Sequence, residues 1–315
     1  MTKCRCWAAA LFAVSLLPNV GATADVSKNA HEDGTSSLDK QDYAAAITSF
    51  TEAIRLNQKV ADAYCGRGTA YFKMGDFDKA TSDLTDAIRL NPKSAEAYRN
   101  RGGAYFGKCD FGKAVADYTE AIRLNPKDAL AYVDRGCTRR DSGLARKDFS
   151  EIEEGRADFM EAIRIKPDCI VAYNDLGALH SMLHDDPKAL DYFNKAIEIG
   201  LKGGDKDGKH SFPFAYNNRG VLFAKQGDTV RALADFTEAI RVYPDYADPH
   251  MNRSIIFSQE GEFDKAIADC TEAIRIDPKN AKAYYSRAHV YGQKGDKDKA
   301  EADFGQAKRL GWKGN

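Results

Sequence analysis

Residues 95–128 read AEAYRNRGGAYFGKCDFGKAVADYTEAIRLNPKD, and nearly every other part of the chain is a variant of this stretch at a spacing of 34 residues. Its first half predicts a helix, because Tyr98, Gly102 and Tyr105 are spaced by four and three residues and so share one helix face. Asp110 is a residue type favoured at helix N-caps, so a second helix is predicted to begin after it.

The second half of the stretch carries the apolar face of this second helix, formed by Ala114, Tyr118 and Ala121. The Asn125-Pro126 pair ends the helix, since the residue before a proline disfavours helical geometry. Small residues stand where the two helices must approach each other. A helical hairpin of this size cannot bury its own apolar face, so it is expected to stack on copies of itself.

These residues resemble the tetratricopeptide repeat (TPR), whose signature places an aromatic at position 4, Gly at 8, Tyr at 11, Ala at 20, an aromatic at 24, Ala at 27 and Pro at 32. In residues 95–128 those positions are held by Tyr98, Gly102, Tyr105, Ala114, Tyr118, Ala121 and Pro126. One position departs from the family, because position 7, where the family favours Leu, is Arg101. The resemblance implies an all-α fold, a right-handed superhelical solenoid of helical hairpins.

Eight copies of the unit align at residues 27–60, 61–94, 95–128, 129–169, 170–203, 213–246, 247–280 and 281–314. Repeat 4 is seven residues longer than a standard copy, and the extra residues are predicted in the turn between its helices. A glycine- and charge-rich insertion at residues 204–212 separates repeats 5 and 6 and is predicted to be an exposed connection. Repeats 1–5 and repeats 6–8 are therefore expected to move as two blocks.

The first 24 residues have the features of a secretory signal of the exported bacterial type. Lys3 and Arg5 form a basic start, an apolar run follows, and Ala22-Thr23-Ala24 resembles a cleavage site before Asp25. The apolar run is shorter than the roughly 20 residues that a membrane span needs. We therefore expect an exported protein, periplasmic or secreted, with no membrane span in the mature chain. The alternative is that the segment is retained as an uncleaved anchor.

The charges of the chain are balanced, with 46 Lys and Arg residues against 47 Asp and Glu residues. This balance gives no reason to expect a nucleic-acid partner. The sequence contains no nucleophile elbow, HExxH motif or phosphate-binding loop, so it offers no basis for an enzyme, and no cofactor is predicted.

His180 and His184, four residues apart and followed by two aspartates, raise the alternative of a metal-binding protein. The spacing alone is weak evidence, because a metal site needs further ligands. His180 also holds position 11 of its repeat, which is normally an aromatic packing position. A structural role is the interpretation that the sequence favours.

Position 7 is Arg in six repeats, and position 23 is Asp in the same six. Repeat 5 has Leu176 and Tyr192 at the two positions, and repeat 1 has Asp33 and Ser49, so the two charges occur together or not at all. Pairing each Arg with the preceding repeat's position 23 would leave Arg67 facing Ser49. We therefore predict an ion pair inside each hairpin, with a structural role.

Positions 2, 5, 9 and 12 of each first helix lie on the face opposite the packed one, and we call them the inner stripe. The family resemblance implies that this stripe lines a concave groove for partner peptides, and position 6 beside it resembles the asparagine ladder of O-GlcNAc transferase. The predicted peptide-binding residues are Arg99, Asn100, Asn174, Asn217, Asn218, Val221, Met251, Asn252 and Ile255. A non-catalytic scaffold that binds a protein or an extended peptide is the predicted function. The alternative is a structural spacer or assembly factor without a peptide groove.

Overall fold

A computed structural model of the chain describes residues 20–203 and 211–313, and all regular structure in these ranges is helical. The chain divides into two compact units, an N-terminal unit that ends at Asn125 and a C-terminal unit that begins at Pro126. The N-terminal unit contains α1 (Val20–Asp39), α2 (Tyr43–Leu56), α3 (Ala61–Lys73), α4 (Phe77–Leu90), α5 (Ala95–Gly107) and α6 (Phe111–Leu124).

The C-terminal unit contains ten helices within the described ranges. They are α7 (Ala129–Arg146), α8 (Phe149–Ile165), α9 (Ile170–Met182), α10 (Asp186–Leu201), α11 (Ser211–Lys225), α12 (Thr229–Val242), α13 (Ala247–Gln259), α14 (Phe263–Ile276), α15 (Ala281–Lys294) and α16 (Lys297–Arg309). In both units each odd-numbered helix packs most closely on the even-numbered helix that follows it. The predicted all-α fold of stacked helical hairpins is confirmed, whereas the count of eight repeats and the right-handed twist stay predictions.

The ends of the second helices follow from local chemistry. Asp110 accepts a hydrogen bond from the backbone N–H of Lys113, as predicted for an N-cap, and Asp76 and Asp228 cap α4 and α12 in the same way. The helix α6 ends at Leu124, and Asn125 before Pro126 has left the helical region. The capping aspartate before each of these helices, and in α6 the Asn-Pro pair after it, therefore set the length of the second helix.

In repeats 5 and 6 the core of the hairpin forms where position 8 of the first helix meets position 24 of the second. A Cβ atom at Gly220 would lie 2.8 Å from the ring of Phe236, and one at Gly177 would lie 2.6 Å from the ring of Phe193. Both rings are fully buried. Glycine at position 8 is therefore needed because the aromatic ring occupies the space of a side chain.

Repeat 7 fills the same space in another way, with a larger residue at position 8 and a smaller one at position 24. Ser254 replaces the glycine, and Cys270 replaces the aromatic residue. The Cys270 thiol lies 3.3 Å from the Ser254 hydroxyl oxygen, and both residues are buried. Cys270 therefore acts as a small buried residue in the place of the aromatic ring.

The prediction for the extra residues of repeat 4 was wrong, because they lengthen the two helices instead of the turn. The helices α7 and α8 contain 18 and 17 residues, against 13 and 14 in α5 and α6. Only Lys147 and Asp148 lie between them. A Cβ atom at Gly155 would lie 2.8 Å from the carbonyl oxygen of Gly136, so glycine allows the long helices to pack closely.

The insertion between repeats 5 and 6 lies mostly outside the described residues, but its last two residues belong to α11, which begins at Ser211. Phe212 packs against a core cluster that contains residues of both repeats, including Ile197 and Tyr216. The boundary between the compact units follows Asn125 and does not coincide with the insertion. Movement of repeats 1–5 and 6–8 as two blocks stays a prediction.

The signal segment also lies largely outside the described residues, since the description begins at Val20 within the predicted segment 1–24. Cleavage before Asp25 stays a prediction. Among the helices of residues 20–203 and 211–313, none is long and apolar enough to cross a membrane.

Candidate functional site

The six predicted pairs of Arg and Asp are confirmed as ion pairs inside hairpins. Arg101 shows the geometry, because its Nε atom donates to Asp117 Oδ2 at 2.7 Å and its Nη2 atom donates to Oδ1 at 2.8 Å. The pairs are Arg67–Asp83, Arg101–Asp117, Arg135–Asp158, Arg219–Asp235, Arg253–Asp269 and Arg287–Asp303. All six carboxylates are buried, so these two-point contacts belong to the scaffold.

Within each unit, arginines of these pairs also join neighbouring hairpins, a contact that was not predicted from the sequence. Arg101 Nη1 donates to the hydroxyl of Thr85 in the preceding repeat at 3.1 Å, and Arg253 Nη1 donates to Thr237 at 3.0 Å. Asn194 takes the place of the threonine opposite Arg219. The threonine of the recurrent Thr-Glu-Ala-Ile-Arg segment, at position 25, was the signal that could have revealed this contact.

Four of the predicted binding residues form a connected set in the C-terminal unit, which we call the asparagine chain: Asn174, Asn217, Asn218 and Asn252. The Asn252 amide donates to the Asn217 carbonyl oxygen at 2.9 Å, and the Asn218 amide donates to Asn174 at 2.9 Å. A longer bond of 3.4 Å from Asn217 to Asn218 completes the chain. The chain thus crosses α9, α11 and α13, the first helices of three consecutive repeats.

The predicted residues of the N-terminal unit, Arg99 and Asn100, lie half-buried on α5. The Asn100 amide donates to the Thr69 hydroxyl on α3 at 2.8 Å. This contact joins the first helices of two adjacent repeats, as the asparagine chain does in the other unit. Position 6 therefore connects neighbouring first helices in both units.

The three predicted apolar residues have different environments. Met251 is only 3% exposed and packs with Ala273 and Ala283, so it belongs to the core and was wrongly predicted to line a surface pocket. Val221 is half-buried beside the core of repeat 6. Ile255, in contrast, is 44% exposed on α13. Of the three, Ile255 is the residue best placed to contact a partner.

Ile255 lines a cavity of about 350 Å³ between α13 and α15, which we call the α13–α15 pocket. Its walls are apolar or neutral: Ser254, Ile255, Ser258, Gln259, Tyr285, Ser286, His289, Val290 and Gln293. Tyr285 and His289 hold positions 5 and 9 of repeat 8, so they extend the inner stripe beyond the predicted residues. Applying the repeat register to repeat 8 would have found them.

The two histidines of the metal-binding alternative lie in different environments, one buried and one exposed. His180 is buried, stacks on Tyr192 with ring centroids 5.3 Å apart, and places Nδ1 3.2 Å from an oxygen of Asp185. His184 lies in the turn before α10 with a left-handed φ of 59°. In the described parts of the chain, no three His, Cys, Asp or Glu residues are grouped so that they could hold a metal ion.

A buried charged cluster lies between α7 and α9 in the C-terminal unit. Asp175 accepts hydrogen bonds from Arg140 at 3.2 Å and from the Cys137 thiol at 3.4 Å. Burial raises the pKa of Asp175, and the nearby Arg140 charge opposes that rise. Asp175 stands at position 6, so here an ionic contact takes the place of the asparagine contact between first helices.

Sequence-family models identify the repeats independently. Models described as tetratricopeptide repeat match residues 65–129, 213–246 and 281–310, and one described as TPR repeat matches residues 38–75 and 256–295. Together these matches cover more than half of the chain. Among curated protein sequences, none matches the chain significantly.

Solved structures with the same architecture include a tetratricopeptide repeat protein from Parabacteroides merdae, with a sequence identity of 19% and a TM-score of 0.65. The match covers 84% of this chain and 99% of that one. The Cut9–Hcn1 hetero-tetramer of the APC/C matches with 15% identity and a TM-score of 0.61 over 93% of this chain and 52% of that one. This chain thus spans about half the length of that one. MamA is 27% identical, with a TM-score of 0.46 over 54% of this chain and 95% of that chain. The first two likenesses show the fold.

Proposed function

Because the chain belongs to the tetratricopeptide repeat family, whose repeats are generally non-catalytic protein-interaction modules, we propose that its inner stripe binds an extended segment of a partner protein. The observation that carries this proposal is the α13–α15 pocket, which lies on the inner stripe beside the asparagine chain. Its neutral walls and the exposed Ile255 suit an uncharged, largely apolar side chain of the partner.

The asparagine chain would contact the backbone of such a segment. An asparagine side chain has two N–H donors and a carbonyl acceptor, and the bonds within the chain use one N–H each of Asn217, Asn218 and Asn252. Asn218 and Asn252 are half-buried, so their second N–H groups can reach a ligand. Amide contacts of this kind recognise a peptide backbone whatever its sequence.

A structural spacer is the second candidate, and the asparagine chain itself favours it. Its amides bond to one another across three repeats, which is sufficient to explain their presence without a ligand. The two candidates differ in whether the asparagines are needed for binding or only for stability.

Changing Asn218 and Asn252 together to alanine separates the two candidates. We expect partner binding to fall at least about tenfold while the fold is kept, because each lost hydrogen bond contributes roughly 1 kcal/mol. Circular dichroism checks the fold, and capture of partners from the cell envelope checks binding. Asn194→Ala is the matched control, since it removes an inter-repeat contact to Arg219 away from the inner stripe. Unchanged capture with lowered stability would favour the spacer.

The location of the protein is proposed from residues 1–24 alone. We infer export to the bacterial cell envelope, with cleavage before Asp25. N-terminal sequencing of the exported protein is expected to begin at Asp25, and a mature protein that keeps Trp7 would overturn this proposal.

A further inference from the structure

The N-terminal unit has its own cavity on the inner stripe, with a volume of about 230 Å³. The helices α1, α2, α3 and α5 form its walls, so it is enclosed by three successive repeats. The residues that decide its chemistry are His31, Phe50, Asp62, Cys65, Gly66 and Glu96. We call it the acidic pocket.

The repeat register places this pocket on the inner stripe. His31 holds position 5 of repeat 1, Asp62 holds position 2 of repeat 2, and Glu96 holds position 2 of repeat 3. Thr35 and Leu38, at positions 9 and 12 of repeat 1, complete the wall on α1. The acidic pocket therefore corresponds in register to the α13–α15 pocket, but its chemistry is different.

The floor of the acidic pocket is formed by the half-buried His31 ring, which lies over the buried Phe50 ring. Gly66 stands at position 6, where repeats 3, 6 and 7 have asparagine, and a Cβ atom there would lie 2.3 Å from Cζ of Phe50. The absence of a side chain at Gly66 thus leaves room for the Phe50 ring, which is 1% exposed and belongs to the core beneath the pocket. The His31 ring packs edge-on against Phe50 with centroids 5.6 Å apart.

The rim of the acidic pocket is negatively charged. The carboxylates of Asp62 and Glu96 are exposed, and neither forms an ion pair or a hydrogen bond with another described residue. Burial, together with the nearby charges of Glu96 and Asp62, raises the pKa of the Cys65 thiol in the wall of the pocket to about 12. Lys28 lies at the neighbouring cavity and faces Glu32 at 3.8 Å.

We propose that the acidic pocket binds the cationic side chain of a lysine or arginine from the partner protein. The aliphatic stem of such a side chain would pack on the half-buried His31 ring and Leu38 while its charged end meets Asp62 and Glu96. Charge complementarity selects this occupant, because an acidic side chain would be repelled and a neutral one would gain nothing from the rim. The inference rests on the proposed function, because it takes the inner stripe to face a partner protein. The residues that form the acidic pocket, however, all belong to repeats 1–3.

The test is a titration of the full-length protein with short blocked peptides that differ at one central residue, namely arginine, lysine, citrulline or norleucine. Citrulline keeps the shape of arginine without its charge. We expect the arginine and lysine peptides to bind about fivefold more tightly than the citrulline peptide, since each exposed charge contact is worth a fraction of 1 kcal/mol. Amide NMR signals of residues 31–38, 62–69 and 96–100 should shift, and the preference should weaken as salt is added.

Asp62→Asn with Glu96→Gln is expected to abolish the preference for the cationic peptides. Asp86→Asn with Glu120→Gln is the matched control, because it removes the same charge from second helices of the same unit, outside the pocket. Equal binding of the citrulline peptide, absence of binding by both cationic peptides, or a preference that survives in the first variant would each overturn the proposal. Such a failure leaves the Asn218 and Asn252 test intact, since that test concerns the other unit.

Discussion

Cys270→Phe alone is expected to lower the free energy of unfolding by about 2 kcal/mol, whereas Cys270→Phe combined with Ser254→Gly is expected to restore it to at least the original value. The single change forces an aromatic ring against the Ser254 side chain, and overpacking of this kind costs about 1–3 kcal/mol. The double change recreates the arrangement of Gly220 and Phe236 in the preceding repeat, where the ring is fully buried.

Ser254→Gly alone is also expected to destabilise the protein, by about 1 kcal/mol, because glycine is unfavourable inside a helix and a small cavity remains. The two single changes and the double change form a cycle with an expected coupling of about 3 kcal/mol. Equilibrium unfolding in urea measures all four proteins. Additive effects would show that positions 8 and 24 do not share one space.

Asp117→Leu is expected to lower the free energy of unfolding by about 2–3 kcal/mol, because it leaves the guanidinium of Arg101 largely buried without its carboxylate. Removing both charges with Arg101→Leu and Asp117→Leu should cost less than the sum of the single changes. We expect a coupling of about 1–2 kcal/mol, given two short hydrogen bonds between the charged groups.

Arg123 and Glu120 provide the matched control for this cycle. They form an equally short ion pair one turn apart on α6, but the arginine side chain is 66% exposed. A pair in that setting is worth no more than about 0.5 kcal/mol. Equal coupling in the two cycles would mean that burial inside the hairpin adds nothing, and the recurrent Arg and Asp would then reflect shared repeat ancestry.

The sequence predicted the fold and the ion pairs because the same register recurs in every repeat. Since Arg and Asp occur together at positions 7 and 23, the sequence alone places their contact inside the hairpin. The same reasoning placed Asn218 and Asn252 at the same position of neighbouring repeats, but it did not predict the hydrogen bonds that join them to Asn174 and Asn217. Because the same position recurs in every repeat, residues at that position of adjacent repeats can be expected to lie near each other.

The parts that could not be predicted depend on how closely neighbouring helices approach. Met251 and Ile255 lie one turn apart on α13, yet Met251 is covered by Ala283 of α15 while Ile255 is exposed. Helix geometry gives the direction in which a side chain points, but it does not give the fraction of that side chain that neighbouring helices bury. The insertion in repeat 4 was misplaced for a related reason, because the close approach at Gly155 lets the inserted residues continue the helices.

The central claim, that a partner segment lies on the inner stripe of the C-terminal unit, is tested most directly by photo-crosslinking from defined positions. A photoreactive residue is placed at Ile255, which lines the α13–α15 pocket, and separately at Val230, which is 78% exposed on the second helix α12. We expect a discrete crosslinked partner from position 255, reduced by the Asn218 and Asn252 changes, and none from position 230. Equal crosslinking from both positions, or from position 230 alone, would contradict the claim.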